Sequence, residues 1–275
     1  MIANSYKKTV IITACLLAAT SLSGLVAAQS TSASGTTGTQ STTSKQEATA
    51  IQHVNDAVAV VRRMETEPGM NKLLQQAKGV FIVPTYGRAA FVVGGSGGAG
   101  VLLAKRDDGV WGDPAFYNIG SLSVGAQAGV EGGPITLVLN NDKALNKFMQ
   151  KNNFSISADT GLTVINWAKV AQDSVGTGDV VAWAGTKGLF GNVITLGIND
   201  IRFNQSTTNA YYHQTVDASD VIKGKVKNAQ AATLREELAR ISTAATSGSS
   251  GASPSRGMSG GPAGESSGNT GTSNK

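Results

Sequence analysis

Residues 77–130 read AKGVFIVPTYGRAAFVVGGSGGAGVLLAKRDDGVWGDPAFYNIGSLSVGAQAGV, and this stretch decides the fold class. Apolar runs at residues 81–83, 89–93 and 101–104 alternate with glycine clusters, and few positions carry a charge. Each run has the length of a β-strand, and no helix-length segment separates them. Short strands with turn chemistry between them predict an antiparallel sheet.

Residues typical of turns divide residues 77–130 into separate strands. Pro84 lacks the N–H group that a central strand donates, so we expect the first strand to stop there or to lie at an edge. Residues 85–88 are then predicted as a turn. Asp107-Asp108-Gly109 predicts a hairpin, because Asp-Gly supplies the positive φ angles of a type I′ turn, and Val110 starts the return strand.

Two glycine motifs overlap in the middle of the stretch. Residues 95–100 fit G-x-G-x-x-G and residues 94–98 fit G-x-S-x-G around Ser96. The first motif binds the pyrophosphate of a dinucleotide at the N-terminus of a helix that follows the glycines. The second motif places a nucleophilic serine on a sharp turn between a strand and a helix. Both functions therefore need a helix directly after the glycines. The residues that follow are too few for a helix before the Asp-Asp-Gly turn. A glycine-rich turn or bulge is therefore favoured, and a serine hydrolase that uses Ser96, with His213 as the one downstream histidine, is a minor alternative.

The N-terminus predicts export. Residues 1–28 have a basic start with Lys7 and Lys8, an apolar run, and small residues at 26–28 typical of a signal peptidase site. A second interpretation makes Cys15 the acylated cysteine of a lipoprotein. The net charge of the 275 residues is +5, which becomes 5 − 2 = +3 without Lys7 and Lys8. This mildly basic value suits an anionic surface and is also ordinary for a soluble domain.

The composition argues against several chemistries. Cys15 is the only cysteine, and the chain has two histidines, His53 and His213. No disulfide, zinc site or other metal or cofactor is therefore expected. The sequence also lacks a dense Lys/Arg run, so no nucleic-acid partner is expected.

One folded domain is predicted. Residues 29–44 are rich in Ser, Thr and Gly and are predicted as a disordered linker, and residues 246–275 as a disordered tail. The intervening residues 45–245 are enough to bury a core as a single domain.

Four helices and several strands complete the pattern. Residues 45–64 form an amphipathic helix, for which packing on the sheet is favoured over membrane contact because its apolar side is Val and Ala rather than bulky residues. The other predicted helices are residues 70–78, 143–151 and 217–241. The further predicted strands are residues 115–119, 122–130, 134–139, 155–160, 162–169, 180–184 and 193–198, and residues 204–212 are predicted as a polar loop.

This order predicts an α+β fold. A curved, Gly-rich antiparallel sheet, either open or closed as a barrel, is flanked by N-terminal and C-terminal helices and one mid-chain helix. Residues 121–130 alternate between apolar residues and a face of Gly and Ser with Gln127. Another element or a ligand is expected close to that face.

Separated pieces of the chain carry a family resemblance. They are residues 77–80 leading to Pro84, the glycines of 94–102, Gly109-Val110-Trp111 with 114–116, the GAQAG of 125–129, the KGLFG of 187–191 and Tyr211-Tyr212. Together they resemble the SYLF domain family of lipid-binding proteins, and the resemblance covers most of the folded domain.

The resemblance implies a phospholipid-binding module of the bacterial cell envelope, periplasmic or outer-membrane-associated, rather than an enzyme. The family's basic amphipathic helix corresponds to residues 45–64, and anionic phospholipid is the implied partner. The candidate lipid-binding residues are Arg62, Arg63, Lys72 and Lys78, followed by Lys105, Arg106 and Lys187. The alternative is an exported structural or protein-interaction module that does not bind lipid.

Overall fold

The computed structural model describes residues 36–90, 93–124, 129–164, 178–186 and 198–244. Some predictions lie outside these residues. They are the signal peptide, the C-terminal tail, the side chain Gln127 and the candidate lipid-binding residue Lys187. Six helices are described: α1 (Thr36–Met64), α2 (Met70–Gln76), α3 (Asp142–Phe148), α4 (Gln205–Tyr212), α5 (Ala218–Ile222) and α6 (Ala232–Thr243). The eight strands are β1 (Gly79–Ala90), β2 (Val93–Ala104), β3 (Ala115–Val124), β4 (Gly129–Leu139), β5 (Phe154–Ile156), β6 (Leu162–Val164), β7 (Val180–Ala184) and β8 (Ile198–Phe203).

The eight strands form one sheet in the order β5-β8-β3-β2-β1-β4-β7-β6. The sheet is nearly closed and barrel-like, and helices flank it, so the predicted α+β class is confirmed. The sheet is mixed rather than purely antiparallel, because β6 pairs with β7 in parallel. The connection from Val164 to Val180 is long enough for the crossover that a parallel pair requires.

Strand β1 runs through Pro84, so the turn predicted at residues 85–88 is wrong. The register shifts between Ile82 and Thr85 on the β2 side and between Val83 and Tyr86 on the β4 side. Pro84 therefore lies at a bulge, where the missing N–H group interrupts no regular ladder.

The chain reverses inside the segment predicted as one strand at residues 122–130. Val124 pairs with Val93 on β2, whereas Gly129 pairs with Ala90 on β1. The period-two alternation continues across the reversal, which is why the sequence pattern did not show it. The turn at Asp107-Asp108-Gly109 is confirmed, with Gly109 at φ 79°. It is not type I′, because Asp108 lacks the positive φ that this turn needs, and an isolated bridge between Lys105 and Trp111 stands in place of the predicted return strand.

Helix α1 begins at Thr36, nine residues before the predicted start at Lys45, so residues 36–44 are helical rather than linker. Extending an existing helix costs little free energy compared with nucleating a new one. The packed C-terminal half of α1 therefore allows the polar residues before it to be helical as well. The apolar side of that C-terminal half is buried in the core through Val54, Ala57, Val58, Val61 and Met64. Packing on the domain, the favoured interpretation, is therefore confirmed for this helix.

Three other predictions in the second half of the chain differ from the structure. Residues 204–212 form α4 rather than a loop, because Asn204 caps the helix by accepting the N–H of Thr207 at 3.1 Å. The helix predicted at 217–241 is interrupted after α5, where Gly224 adopts φ 71°. The predicted strand at 155–160 is β5 followed by a 3₁₀ turn at Ala158–Thr160.

The long strands β1 to β4 have two unlike halves. Around Phe81 they bury a cluster of aromatic rings with Tyr117 and Phe148, whose centroids lie 5.2–5.9 Å apart. Beyond the bulge at Pro84 the same four strands continue, and Thr85, Gly87 and Gly132 there are exposed. We call this four-stranded extension, residues 84–90, 93–99, 118–124 and 129–134, the arm.

Candidate functional site

Three of the predicted basic residues meet at the end of the sheet opposite the arm. Gly79 on β1 pairs with Ala104 on β2, and the Lys105 N–H donates to the Lys78 carbonyl at 2.8 Å. Lys78, Lys105 and Arg106 therefore lie side by side where β1 begins and β2 ends.

Lys105 has a structural partner for its charge. Its Nζ donates to the carbonyl oxygens of Leu74 at 3.0 Å and Gln75 at 2.9 Å, and lies 5.2 Å from the centre of the Trp111 ring. The carbonyl groups at a helix C-terminus favour a cation, so Lys105 holds the last turn of α2 against the sheet. Burial lowers the pKa of the Lys105 ammonium group.

A basic segment of residues 223–227, which the sequence analysis did not single out, lies beside Arg106. A Cβ atom on Gly224 would be 3.5 Å from Arg106 Cδ and 3.9 Å from Arg106 Nη1, so the Arg106 side chain lies against this segment. The exposed residues Lys223, Lys225 and Lys227 alternate with Gly224 and Val226, which are half-buried.

The inner side of this segment is fixed to the domain. Val226 packs against the hydrophobic core. The next residue, Asn228, donates its N–H to Asp113 Oδ1 at 3.2 Å and its side-chain amide to the Tyr211 carbonyl at 2.7 Å. Asp113 is 5% exposed and is paired with Arg235 at 3.0 Å. The alternation therefore directs the three lysines outward from an anchored backbone.

We call Lys78, Arg106, Lys223, Lys225 and Lys227 together the basal surface. Two of its cations have carboxylate partners: Lys225 pairs with Asp220 at 2.8 Å and Arg106 with Asp108 at 3.4 Å. Asp220 accepts that hydrogen bond from Lys225, which is the main reason its pKa is lowered, and the charge of Lys223 acts in the same direction. Within the described ranges, the ammonium groups of Lys223 and Lys227 form no ion pair.

The other predicted residues do not join this surface. Arg62 on α1 pairs with Glu237 on α6 at 2.8 Å. Arg63 donates to the Gly185 carbonyl and lies 5.8 Å from the centre of the Trp183 ring. Lys72 is half-buried on α2. Both arginines of α1 therefore hold neighbouring elements together.

The geometry does not support the two motif-based alternatives. Gly95 to Gly100 and Ser96 all lie within β2, which continues as a strand to Ala104, so no helix follows them. Ser96 is paired in register with Arg88 and Ser121, inside the ladder rather than on a strand-to-helix turn. The histidine of that alternative, His213, ends α4 and pairs with Glu47 at 3.3 Å.

A pocket of about 330 Å³ lies where β8 meets the starts of α4 and α5. Met149 and Phe203 give it apolar lining, and Lys151, Gln205 and Asp217 give it polar lining. Across the described ranges, no three His, Cys, Asp or Glu side chains gather in a way that would hold a metal ion. No helix in the described part of the chain is long and apolar enough to cross a membrane.

Sequence comparison relates the chain to known proteins. Residues 120–241 match the Ysc84 family model, which is described as "Las17-binding protein actin regulator". Similar proteins are SH3 domain-containing YSC84-like protein 1 of Bos taurus and of Homo sapiens, each 28% identical over 170 residues. The match covers 60% of this chain and 49% of each relative. Protein YSC84 of Saccharomyces cerevisiae is 27% identical over 160 residues, covering 56% of this chain and 34% of the yeast protein.

This chain spans about half the length, or less, of the curated relatives it matches. Their printed names describe regulators and SH3-containing proteins rather than enzymes. The matched segment contains the end of β3, strands β4 to β8 and most of the C-terminal helices, and it includes the basic segment 223–227. The family match over residues 120–241 and these relatives support assignment of the chain to the SYLF (Ysc84) family.

Proposed function

We propose that this protein is a non-enzymatic module that binds anionic phospholipid surfaces through the basal surface, at the periplasmic or outer-membrane side of a bacterial cell envelope. The observation that carries the proposal is the pair of exposed ammonium groups of Lys223 and Lys227. Within the described residues neither has a carboxylate partner, and both belong to an anchored segment that the Arg106 side chain contacts at Gly224. Anionic headgroups would supply the missing negative charge.

The expected attachment is weak and sensitive to salt. Each Lys or Arg near an anionic surface contributes about 1 kcal/mol. The five cations less the two paired carboxylates leave roughly three net contributions, or about 3 kcal/mol, which corresponds to a dissociation constant of several millimolar. The apolar side of α1 adds nothing to this contact, because Val54, Val58 and Val61 are buried in the core.

Vesicle flotation tests the proposal. The wild-type chain is expected to float with vesicles of phosphatidylglycerol and phosphatidylcholine at low salt, to dissociate at high salt, and to stay unbound with phosphatidylcholine alone. The variant Lys223→Gln/Lys227→Gln is expected to lose most of this binding.

A matched control removes two charges elsewhere. Lys45→Gln/Arg202→Gln changes the net charge by the same amount but leaves the basal surface intact, since Lys45 lies on α1 and Arg202 on β8. Equal loss in both double variants would mean that net charge alone matters, and it would refute a defined basal site.

A protein-interaction module is the second candidate. The family description "Las17-binding protein actin regulator" favours it, although those words apply to the family's named members. Absence of flotation under all conditions would favour this candidate. The next experiment would then be cross-linking through Lys223 and Lys227 to identify an envelope protein as the partner.

A further inference from the structure

The pocket beside α4 and α5 lies outside the basal surface and has a different chemistry. It is formed by the residues that follow α3, by the end of β8 and by the first residues of α4 and α5. Its volume of about 330 Å³ falls in the range of pockets that hold small molecules, about 300–1,000 Å³. Such pockets combine apolar lining with a few polar groups that orient the ligand. The side chains of this pocket supply both.

The apolar lining is held in place by the aromatic cluster of the core. The Phe203 ring packs edge-to-face against Tyr117, with the ring centroids 5.4 Å apart. Met149 follows Phe148, whose carbonyl oxygen accepts a hydrogen bond from the Tyr117 hydroxyl, and Met149 itself packs against the hydrophobic core. Phe203 and Met149 are both half-buried, so each is anchored in the core and still contributes to the pocket wall. An apolar group of a ligand would therefore meet a preformed contact surface.

Gln205 gives the pocket a fixed hydrogen-bond acceptor. Its side-chain Nε2 donates to Asn209 Oδ1 at 2.7 Å and to the Val216 carbonyl oxygen at 2.6 Å. Both N–H groups of the amide are thus used, and because both partners are acceptors, the amide has only one possible orientation. The Val216 N–H donates to the same Asn209 oxygen at 3.1 Å, which holds this arrangement together. The remaining group of the Gln205 side chain, Oε1, can only accept a hydrogen bond.

Two opposite charges also line the pocket. Lys151 brings an ammonium group from the segment after α3, and Asp217 brings a carboxylate from the start of α5. The Asp217 backbone is fixed, since its N–H donates to Asp220 Oδ2 at 3.4 Å. Within the described ranges, Lys151 and Asp217 form no ion pair with each other or with another residue. A ligand that carries both charges would satisfy both side chains at once.

Other classes of ligand fit these groups less well. A phosphate or a fatty acid would pair with Lys151, but its negative charge would be repelled by the Asp217 carboxylate. A polyamine would pair with Asp217, but it would bring positive charge to Lys151. Like charges placed together oppose binding. The pocket therefore favours a molecule with one ammonium group, one carboxylate and one apolar group.

We propose that this pocket binds a free α-amino acid with an apolar side chain, such as phenylalanine. The ammonium group of the ligand pairs with the Asp217 carboxylate and Gln205 Oε1, and its carboxylate pairs with Lys151. The apolar side chain packs on Phe203 and Met149, where aromatic and sulfur contacts are both favourable. No residue of the basal surface lines the pocket, so this binding does not depend on the proposed lipid contact.

Isothermal titration calorimetry of the full chain with three compounds tests the proposal. L-Phenylalanine carries both charges, its amide keeps only the ammonium group, and N-acetyl-L-phenylalanine keeps only the carboxylate. The amide and the N-acetyl compound are each expected to bind about tenfold more weakly than phenylalanine, because each loses one hydrogen bond between charged groups.

Two variants assign the charges of the ligand to their partners. Lys151→Gln is expected to weaken binding of phenylalanine and of the N-acetyl compound about tenfold and to leave the amide unchanged. Asp217→Asn is expected to weaken phenylalanine and the amide and to leave the N-acetyl compound unchanged. Asparagine caps a helix as well as aspartate does, so α5 is retained in this variant. The matched controls Lys45→Gln and Asp159→Asn remove exposed charges elsewhere and should bind phenylalanine like the wild-type chain.

The same titrations can overturn the proposal. Absence of saturable phenylalanine binding to the wild-type chain would show that the pocket holds no amino acid. Equal affinity for phenylalanine and its amide would place a peptide N-terminus in the pocket instead, and equal affinity for the N-acetyl compound would place a peptide C-terminus there. Equal weakening of all three compounds in either variant would refute the assigned charge pairs.

Discussion

Replacing Gly100 and Gly87 by alanine, one at a time, tests whether the two halves of the long strands differ as described. Gly100 lies on β2 in the buried half, and Gly87 lies on β1 in the arm. A Cβ atom on Gly100 would overlap the Ile82 carbonyl oxygen and would lie 2.9 Å from atoms of Phe81 and Val83. A Cβ atom on Gly87 would meet nothing within 4 Å.

The expected effects have opposite signs. An ordinary Cβ contact begins at 3.4 Å, so the side chains near Gly100 must move by 3.4 − 2.9 = 0.5 Å and the backbone near Ile82 must move as well. Overpacking of this kind lowers the free energy of unfolding by about 1–3 kcal/mol. Gly87→Ala should raise it by about 0.5–1 kcal/mol, because glycine is unfavourable within a strand. Both substitutions reduce the entropy of the unfolded chain alike, so this term cancels in the comparison.

Urea unfolding followed by circular dichroism measures both values. The two variants should differ by roughly 1–3 kcal/mol, the overpacking cost alone, because the gain from replacing a strand glycine applies to both. A loss of stability in Gly87→Ala as large as that in Gly100→Ala would mean that another element covers the arm face. The reasoning about an open arm would then fail.

Two further stability predictions follow from buried polar groups. Arg235→Met should lower the free energy of unfolding by about 3–5 kcal/mol, because it leaves the buried Asp113 carboxylate without its cation. Adding Asp113→Asn removes that carboxylate and should restore part of the lost stability. Urea titration of both variants measures the two values. Burial raises the pKa of the Tyr117 hydroxyl above its usual value near 10, so the folded state keeps the proton that the unfolded chain loses at high pH. The stability linked to Tyr117 is therefore complete below pH about 10 and falls by about 1.4 kcal/mol per pH unit above it. Tyr117→Phe should make the decline between pH 10 and 11.5 shallower, and an unchanged slope would show that Tyr117 ionises freely in the folded state.

Local signals predicted the parts of the fold that depend on near neighbours. The turn at residues 107–109 and the strand β7 were predicted correctly, because turn chemistry and β-branched runs act over a few residues. The type of that turn was not, because it depends on the φ angle of Asp108. Pro84 was misread as a strand end because its tolerance depends on register shifts toward β2 and β4. A register shift depends on the strands that pair with β1, and these strands are distant in sequence. The sequence of β1 alone therefore does not show it.

The break at Gly224 was missed for a related reason. Residues 217–241 carry a helical apolar pattern, and one glycine within such a pattern is often tolerated. The same error hid the basic segment, because Lys223 and Lys227 lie on one side of an assumed helix and looked like ordinary solvated charges. The repeat of lysine at every second residue from 223 to 227 was the available signal, since such alternation is typical of an extended segment with one exposed side.

Charge alone could not separate binding residues from structural ones. Arg62, Arg63 and Lys105 are basic and were reasonable candidates, yet each has a partner that holds two elements together: Glu237, the Gly185 carbonyl and the end of α2. These partners are distant in sequence, at 175, 122 and about 30 residues. A surface cation is a candidate for binding when its partner is missing, and only the folded chain shows that.

The glycines of the long strands fall into two groups, those where a Cβ atom does not fit and those where it does. At Gly98 and Gly100 the bulge around Pro84 brings the Thr85 and Ile82 carbonyl oxygens so close that no Cβ atom fits, so the core itself demands glycine. At Gly87 and Gly132 there is room for a side chain, and core packing gives no reason for its absence. Glycine there costs the arm stability, because the strands lose both side-chain contacts and backbone entropy. The glycines at positions 87 and 132 therefore lower the stability of the arm with no gain in core packing, and the Gly87→Ala measurement detects this difference.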